Sequence, residues 1–209
     1  MPDEFNIDDG FALLAEGFEF ESTAKITPRA LKTKAKARMI NALRQESLEE
    51  LLPELPEDGE YIHIISNGNY DYYNFVPLFA ERLGTIDELY GSTWTMNRAN
   101  VENLLSLYDT GKIRKIGIVS GLFFKRRETA VYATLVDGLT KRGQHYVACE
   151  NHAKVLCIRS GDKHYVVEGS ANWTANPRIE QNLITQSKTL WAHHRGWMGE
   201  YLEKSGGGQ

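Results

Sequence analysis

The sequence predicts an α/β sandwich with a mostly parallel central sheet, preceded by an N-terminal helical segment. After residue 59, short apolar runs typical of buried strands alternate with segments of helical periodicity. Strands that alternate with helices usually form βαβ units, which favour parallel pairing. Hydrophobic residues make up 42% and charged residues 25% of the 209-residue chain, a composition typical of globular proteins rather than of disordered chains.

Residues 1–58 are predicted to hold an acidic and aromatic stretch followed by a basic helical segment. Thr27 is suited to cap the first helix, and Pro28 suits its first position. An apolar residue then recurs every four positions, at Leu31, Ala35, Met39 and Leu43. A short second helix is expected at about 47–52, and the proline-containing segment 53–59 is the best linker candidate.

Residues 59–204 are predicted to form the main domain, and residues 205–209 a flexible tail. Strands are expected at 61–65, near 88–95 and within 113–124. Helices are expected through 75–83, from either 97 or 100 to about 108, and at 128–142, where Gly143 follows as a stop signal. Two further apolar runs flank Ser160-Gly161-Asp162, which is a hairpin turn signal.

The charge distribution indicates a polyanionic partner, although the net charge of the chain is −4. Residues 25–44 contain no acid and seven basic residues: Lys25, Arg29, Lys32, Lys34, Lys36, Arg38 and Arg44. Such a block suits nucleic acid, while a solvated helix face that pairs with the protein's own acidic surface is an equal alternative. A second group directly follows a predicted strand, where α/β proteins tend to bind ligands: Lys125, Arg126 and Arg127.

Composition also limits the cellular setting. No apolar run approaches the roughly 20 residues that span a bilayer, and no secretory signal is recognisable, so no membrane association is expected. Cys149 and Cys157 lie in strand-like runs and are predicted to be reduced thiols of a cytoplasmic protein. No set of His, Cys and acidic residues has metal-ligand spacing, so neither a metal nor another cofactor is expected.

Polar residues on both sides of the predicted hairpin carry the candidate chemistry. His152 and Lys154 precede it, Ser170 and Asn172 follow it, and Glu180 comes eight residues later. Residues two apart on a strand share a face, so the hairpin is expected to bring the two pairs together. A histidine held by a carboxylate can attack phosphorus, while an ammonium, a hydroxyl and an amide stabilise the phosphate charge without a metal.

Together these positions resemble the HKD signature of the phospholipase D superfamily: His152-x-Lys154, Gly169-Ser170-x-Asn172, Asn176 and Glu180. The resemblance covers about residues 60–185. It implies a phospholipase D-like fold and a covalent phosphohistidine formed on His152. It further implies that Lys154 and Asn172 bind the phosphate, with Ser170 in support. Glu180 is implied to orient the histidine.

One position departs from the superfamily's pattern. An aspartate usually stands five residues after the lysine, where this chain has Arg159, and Asp162 follows in the predicted turn. Because that aspartate is commonly a structural residue of the hairpin, the departure affects the name of the motif more than its chemistry. It leaves a decayed, inactive member as an alternative.

The leading interpretation is a metal-independent phosphodiesterase, a nuclease that cleaves DNA or RNA, with DNA favoured over RNA. The alternatives are a non-catalytic nucleic-acid-binding module and, less favoured, a phospholipid hydrolase or phosphatidyl transferase. Cleavage needs one group to attack phosphorus and another to protonate the leaving oxygen. Since the superfamily uses two copies of the motif and this sequence carries one, we expect a homodimer with a shared active site. A monomer that uses His145 or His164 as the acid is the less favoured alternative.

Overall fold

The apolar strand runs pair into one mixed sheet in the residues that the computed structural model describes, 38–41, 48–66, 70–174 and 178–206. Its strands are β1 (Arg38–Asn41), β2 (Tyr61–Ser66), β3 (Glu88–Thr93), β4 (Ile116–Gly121), β5 (His145–Cys149), β6 (Val155–Ser160), β7 (Lys163–Gly169) and β8 (Glu180–Gln186). They lie side by side in the order β1-β2-β8-β7-β6-β3-β4-β5. The helices are α1 (Leu48–Leu51), α2 (Phe75–Leu83), α3 (Arg98–Asp109), α4 (Leu122–Arg127), α5 (Thr129–Lys141) and α6 (Lys188–Gly206).

The strand directions confirm the α/β class but not the mostly parallel sheet. Four of the seven neighbouring pairs are antiparallel, and only β1–β2, β3–β4 and β4–β5 are parallel. The reason is the position of β6 and β8, the two strands that run against the other six. They lie on either side of β7 in the middle of the sheet, so every pairing there is antiparallel. Helices connect β2 to β3, β3 to β4 and β4 to β5, as the alternation of patterns predicts.

The predicted basic helix is wrong at Arg38–Asn41, because these residues form β1. The strand runs parallel to β2, with Arg38 opposite Ile62 and Asn41 opposite Ile65. Pairing in this way gives partners to the backbone N–H and C=O groups on the edge of β2, which the four-residue apolar spacing did not reveal. Residues 1–37 and 42–47, which hold the rest of the predicted helix, lie outside the described part of the chain.

Local signals located most other elements correctly. Asn97 caps α3, since its side-chain oxygen accepts a hydrogen bond from the Asn100 backbone N–H at 2.8 Å. The hairpin turn lies at Gly161-Asp162, between β6 and β7. Gly161 has a φ of 55°, a left-handed conformation that favours glycine.

Two apolar cores hold the sheet. The larger one lies between the sheet and α2, α3 and α5, and Leu48 and Leu51 of α1 belong to it. The smaller one lies under α6 and includes Tyr90, Cys157 and Met198. The division of the chain at residue 58 stays a prediction. Within the described residues, no helix combines the length and apolarity that crossing a membrane requires.

Candidate active site

The candidate catalytic residues lie along one edge of the sheet. The parallel strands β2, β3 and β4 end at this edge, while β6 and β8 begin there. His152 and Lys154 come just before β6, Ser170 and Asn172 just after β7, and Glu180 opens β8. The prediction that the first four lie on the strands is therefore wrong. They occupy the connections beyond the strand ends, the position at which α/β sheets bind ligands.

Lys154 is buried, with 7% of its surface exposed, and its side chain turns back onto the exposed His152. The Lys154 Nζ lies 2.8 Å from Nδ1 and 3.3 Å from Nε2 of the imidazole, and it donates to the His152 carbonyl at 2.6 Å. Burial lowers the pKa of the Lys154 ammonium, and the nearby Glu180 carboxylate opposes this shift. The ammonium of a buried lysine thus contacts a potential nucleophile whose imidazole is exposed.

Ser170 and Glu180 are joined directly. The Ser170 hydroxyl donates a hydrogen bond to Oε2 of Glu180. The same hydroxyl oxygen accepts from the Gln181 backbone N–H at 3.1 Å, and the Ser170 N–H donates to the Gln181 carbonyl at 3.0 Å. These bonds hold the Glu180 carboxylate at the junction of β7 and β8. A hydrogen bond from His152 to Glu180, which the resemblance implies, stays a prediction.

Asn172 is half-buried and directly precedes Trp173, whose backbone is held by hydrogen bonds. Its Oδ1 is buried without a hydrogen-bond partner among the described residues. The next residue, Trp173, is fully buried; its backbone N–H donates to Thr93 Oγ1 at 3.2 Å and its carbonyl accepts from Asn100 Nδ2 at 3.0 Å. Because an unpaired buried acceptor is unfavourable, Oδ1 is a natural position for a donor group of a ligand, while Nδ2 of the same amide is the atom that can donate to a phosphate oxygen.

Asn151, which the sequence analysis missed, fixes the backbone that carries the histidine. Its Nδ2 donates to Ser92 Oγ at 3.0 Å and to the Thr93 carbonyl at 3.1 Å, and its Oδ1 accepts from the Ala153 N–H at 3.1 Å. The end of β3 is thereby tied to the segment that contains His152. Its position directly before His152 was the signal that could have identified it.

Tyr72 supports the same segment from inside the core. Its hydroxyl donates to the Val167 carbonyl at 2.5 Å and lies 3.4 Å from the Lys154 carbonyl oxygen. The Gly169 N–H donates to that Lys154 carbonyl at 3.1 Å. Burial raises the pKa of Tyr72 well above its ordinary value, so the hydroxyl remains a neutral donor.

Trp94 borders the imidazole and stacks on Phe123, and the sequence analysis missed both aromatic side chains. Trp94 directly follows β3, and Phe123 lies in the first turn of α4, just after β4. Their rings stack with centroids 4.1 Å apart and planes 21° apart. The Trp94 ring centroid lies 5.5 Å from that of His152. The sequence signal for these rings was an aromatic residue shortly after the end of each of two neighbouring parallel strands, β3 and β4.

The predicted nucleic-acid-binding residues are described only in part. Lys125, Arg126 and Arg127 are exposed in the last turn of α4. Arg38 lies in β1, and only its backbone is described. The remaining members lie outside the described residues, together with Asn176 of the motif: Lys25, Arg29, Lys32, Lys34 and Lys36.

Arg159 lies at the opposite end of β6 from Lys154, about 16 Å along the strand. Its Nε donates to Glu88 Oε1 at 2.9 Å, and its guanidinium lies 3.5 Å from Asp87 Oδ2. Asp87 also accepts from the Gly161 N–H in the turn at 2.7 Å. Asp87, which lies in the connection before β3, thus holds the hairpin turn, and Arg159 pairs with this aspartate. The departure from the superfamily pattern does not reach the candidate site.

No family model matches the chain, and a search of curated proteins found no similar protein. Similar solved structures include a polyphosphate kinase from Porphyromonas gingivalis, with a TM-score of 0.48, 15% identity, and coverage of 66% of this chain and 25% of that one. They also include TrmBL2, an archaeal chromatin protein whose structure shows a novel mode of DNA binding (TM-score 0.47, 14% identity, 68% and 52% coverage). A phosphatidylserine synthase from Haemophilus influenzae Rd KW20 is a third (TM-score 0.43, 11% identity, 75% and 40% coverage). The chain spans between a quarter and about half of these proteins, and likenesses at this level assign it no function.

Proposed function

We propose that the chain is a metal-independent phosphodiesterase that cleaves nucleic acid through a covalent phosphohistidine at His152. The observation that carries the proposal is the contact between the exposed His152 imidazole and the buried Lys154 ammonium, beside the Ser170–Glu180 pair. The motif's resemblance to the phospholipase D superfamily supplies the reaction type. An exposed nucleophile next to a cation that lies partly out of water suits attack on an anionic phosphodiester.

The first step transfers the phosphoryl group to the protein. An oxygen of the bound phosphate replaces the imidazole as an acceptor for the Lys154 ammonium, which frees a ring nitrogen. That nitrogen attacks phosphorus, so that a P–N bond forms while the bond to the leaving oxygen breaks. The leaving oxygen takes a proton from an acid on the opposite side of phosphorus.

The second step releases the product. The group that gave up its proton now accepts one from water, whose oxygen attacks phosphorus while the P–N bond breaks. The products are an alcohol and a phosphomonoester. Asn172 and Lys154 donate to the non-bridging oxygens in both steps, and the Glu180 carboxylate stabilises the imidazolium.

A second copy of the chain supplies the acid in this proposal. His152 cannot attack and also protonate a leaving oxygen on the opposite side in the same step. His145 and His164 begin β5 and β7 and therefore lie at the other end of the sheet, with His164 about 20 Å along β7 from Ser170. A twofold dimer would place one His152 on each side of the phosphorus.

Nucleic acid is the favoured substrate because exposed cations follow β4 close to this edge. Lys125, Arg126 and Arg127 carry three positive charges in one helical turn. Clustered cations bind a phosphate backbone by releasing its counterions. The basic block at residues 25–44 supports the same choice.

Incubation of the full chain in EDTA with plasmid, single-stranded DNA, RNA and bis(4-nitrophenyl) phosphate tests the activity. We expect cleavage that His152→Ala abolishes and that His145→Ala, which removes an exposed histidine far from the site, leaves intact. Binding without cleavage would identify a non-catalytic module. Hydrolysis of phosphatidylcholine vesicles with intact nucleic acids would identify a lipid enzyme.

Light scattering at micromolar concentration tests the shared site separately. The proposal expects the mass of two chains. A monomer that still cleaves phosphodiesters in EDTA would contradict the dimer.

A further inference from the structure

We infer that Trp94 and Phe123 form a stacking site for one base of an unpaired nucleic-acid strand, next to the phosphate that His152 attacks. The inference rests on the proposed function and narrows its substrate class from nucleic acid in general to a single strand.

The two rings lie within one nucleotide's reach of the candidate nucleophile. Trp94 and Phe123 stack at 4.1 Å, and the Trp94 ring lies 5.5 Å from the His152 ring. In a nucleotide, only one sugar separates the base from its own phosphate. A phosphate held at His152 therefore brings a neighbouring base to the aromatic pair.

Packing of the hydrophobic cores does not account for these rings. Both side chains are half-buried, and neither belongs to the two cores of the described residues. They lie at the edge of the sheet, at the ends of adjacent parallel strands. A partly exposed aromatic pair at a ligand-binding edge offers a π-face that any base can stack on.

Gly121 lets the Trp94 indole pack closely against the end of β4. A Cβ atom at this position would lie 2.5 Å from Trp94 Cδ1 and 2.9 Å from the Asn151 carbonyl oxygen. Only glycine therefore allows the indole and the backbone before His152 to pack together against the end of β4. A site held in its binding geometry loses less entropy on binding.

An unpaired strand fits this site better than a duplex. A base within a duplex is stacked on its neighbours, so a side chain reaches its face only after costly unstacking. Single-strand-binding proteins combine aromatic stacking with cations along the backbone. Phe123 is followed in α4 by exposed Lys125, Arg126 and Arg127, which provide such cations.

Binding of a fluorescein-labelled oligonucleotide to chains that carry His152→Ala tests the inference without substrate turnover. Adding Trp94→Leu should weaken binding of single-stranded DNA about 5- to 150-fold, the range for loss of one base–aromatic stack. Trp94→Phe should retain most of the affinity because it keeps a ring. Tyr201→Leu, which removes an exposed ring of α6, should bind like the parent.

Abasic and duplex probes of the same length identify what the rings contact. The loss caused by Trp94→Leu should fall to less than threefold on an abasic strand, and the parent should prefer the single strand to the duplex at least tenfold. Circular dichroism verifies folding, and Phe123→Leu, with a similar loss, gives a second readout if Trp94→Leu does not fold.

Two results would overturn the stacking site. One is unchanged single-strand affinity in both leucine variants, or an equal loss on the abasic strand. The other is preference of the parent for duplex or for phospholipid vesicles. If wild-type chain still cleaves in a His152-dependent manner, the proposed function survives such a result. Conversely, Trp94-dependent binding by a chain that cleaves nothing would refute the proposed function alone.

Discussion

Alanine at Gly121 should disturb the candidate site without touching its reactive groups. The added Cβ would lie 2.5 Å from Trp94 Cδ1 and 2.9 Å from the carbonyl oxygens of Trp94 and Asn151. Real Cβ atoms essentially never approach other heavy atoms within 3.0 Å. Two of the three obstacles are backbone atoms, which cannot rotate away as the end of a flexible side chain can. The Asn151 carbonyl belongs to the peptide bond that leads into His152.

The size of the effect follows from these distances. Restoring an ordinary contact of 3.4 Å needs a shift of about 0.9 Å at the indole and about 0.5 Å at the Asn151 carbonyl. Overpacking of this kind costs about 1–3 kcal/mol in free energy of unfolding. A misplacement of about 1 Å lowers turnover about a hundredfold. Because the shift of the Asn151 carbonyl also displaces His152, we expect turnover to fall about ten- to a hundredfold.

Urea unfolding and turnover of bis(4-nitrophenyl) phosphate measure the two effects. Gly196→Ala is the matched control, because a Cβ there meets nothing within 4 Å on α6. Alanine in a helix should leave that variant as stable as wild type or more stable by about 0.5–1 kcal/mol. If Gly121→Ala unfolds at the wild-type urea concentration and turns over normally, the close packing of Trp94, β4 and the His152 segment is refuted.

Three further predictions concern charge. Lys154→Met should abolish turnover and change the pH dependence of stability. Because burial lowers the pKa of Lys154, its ammonium opposes folding at pH 7, and this penalty is lost as the pH rises towards about 10.4, the ordinary lysine pKa. The free energy of unfolding of the wild type, measured by urea titration, should therefore rise relative to that of Lys154→Met between pH 7 and that pH, and a constant difference contradicts this. Glu180→Gln should lower kcat less than His152→Ala does, because the nucleophile stays; a silent Glu180→Gln means that another acid stabilises the imidazolium. Charge reversal at Lys32, Lys34 and Lys36 of the basic block should lower the log–log salt slope of nucleic-acid binding by about 0.7–0.9 per lost phosphate contact. An unchanged slope would show that these lysines form a solvated surface.

Most strands and helices between residues 61 and 142, and the hairpin of β6 and β7, could be ordered from the sequence because they carry local signals. Asn97 at the start of α3 and Gly161 in the hairpin are such signals. Strand direction has no local signal, because it depends on which strands become neighbours across the sheet. β8 comes late in the chain yet lies between β2 and β7, and this placement makes the centre antiparallel. For the same reason the short strand Arg38–Asn41 could not be told from part of a helix.

The candidate site likewise contains some residues that the sequence could identify and others that only the fold brings together. His152 and Lys154 form a short motif whose chemistry is readable without a fold. Trp94 and Phe123 come from connections after two different strands and meet the motif only at the folded edge. Arg159 pairs with Glu88, a residue 71 positions away in the chain. The sequence therefore showed that Arg159 replaces the superfamily's aspartate but did not show which acidic residue pairs with it.

A covalent bond between phosphorus and His152 is the intermediate that the proposed mechanism requires, and its detection tests that mechanism. Wild-type chain is mixed with an oligonucleotide that carries ³²P at an internal phosphate, quenched in alkali during turnover, and digested to locate the labelled peptide. A phosphohistidine intermediate predicts an alkali-stable, acid-labile label on the peptide that contains His152, present in His145→Ala and absent from His152→Ala. Cleavage by the wild type without this label, or undiminished cleavage by His152→Ala, would contradict it.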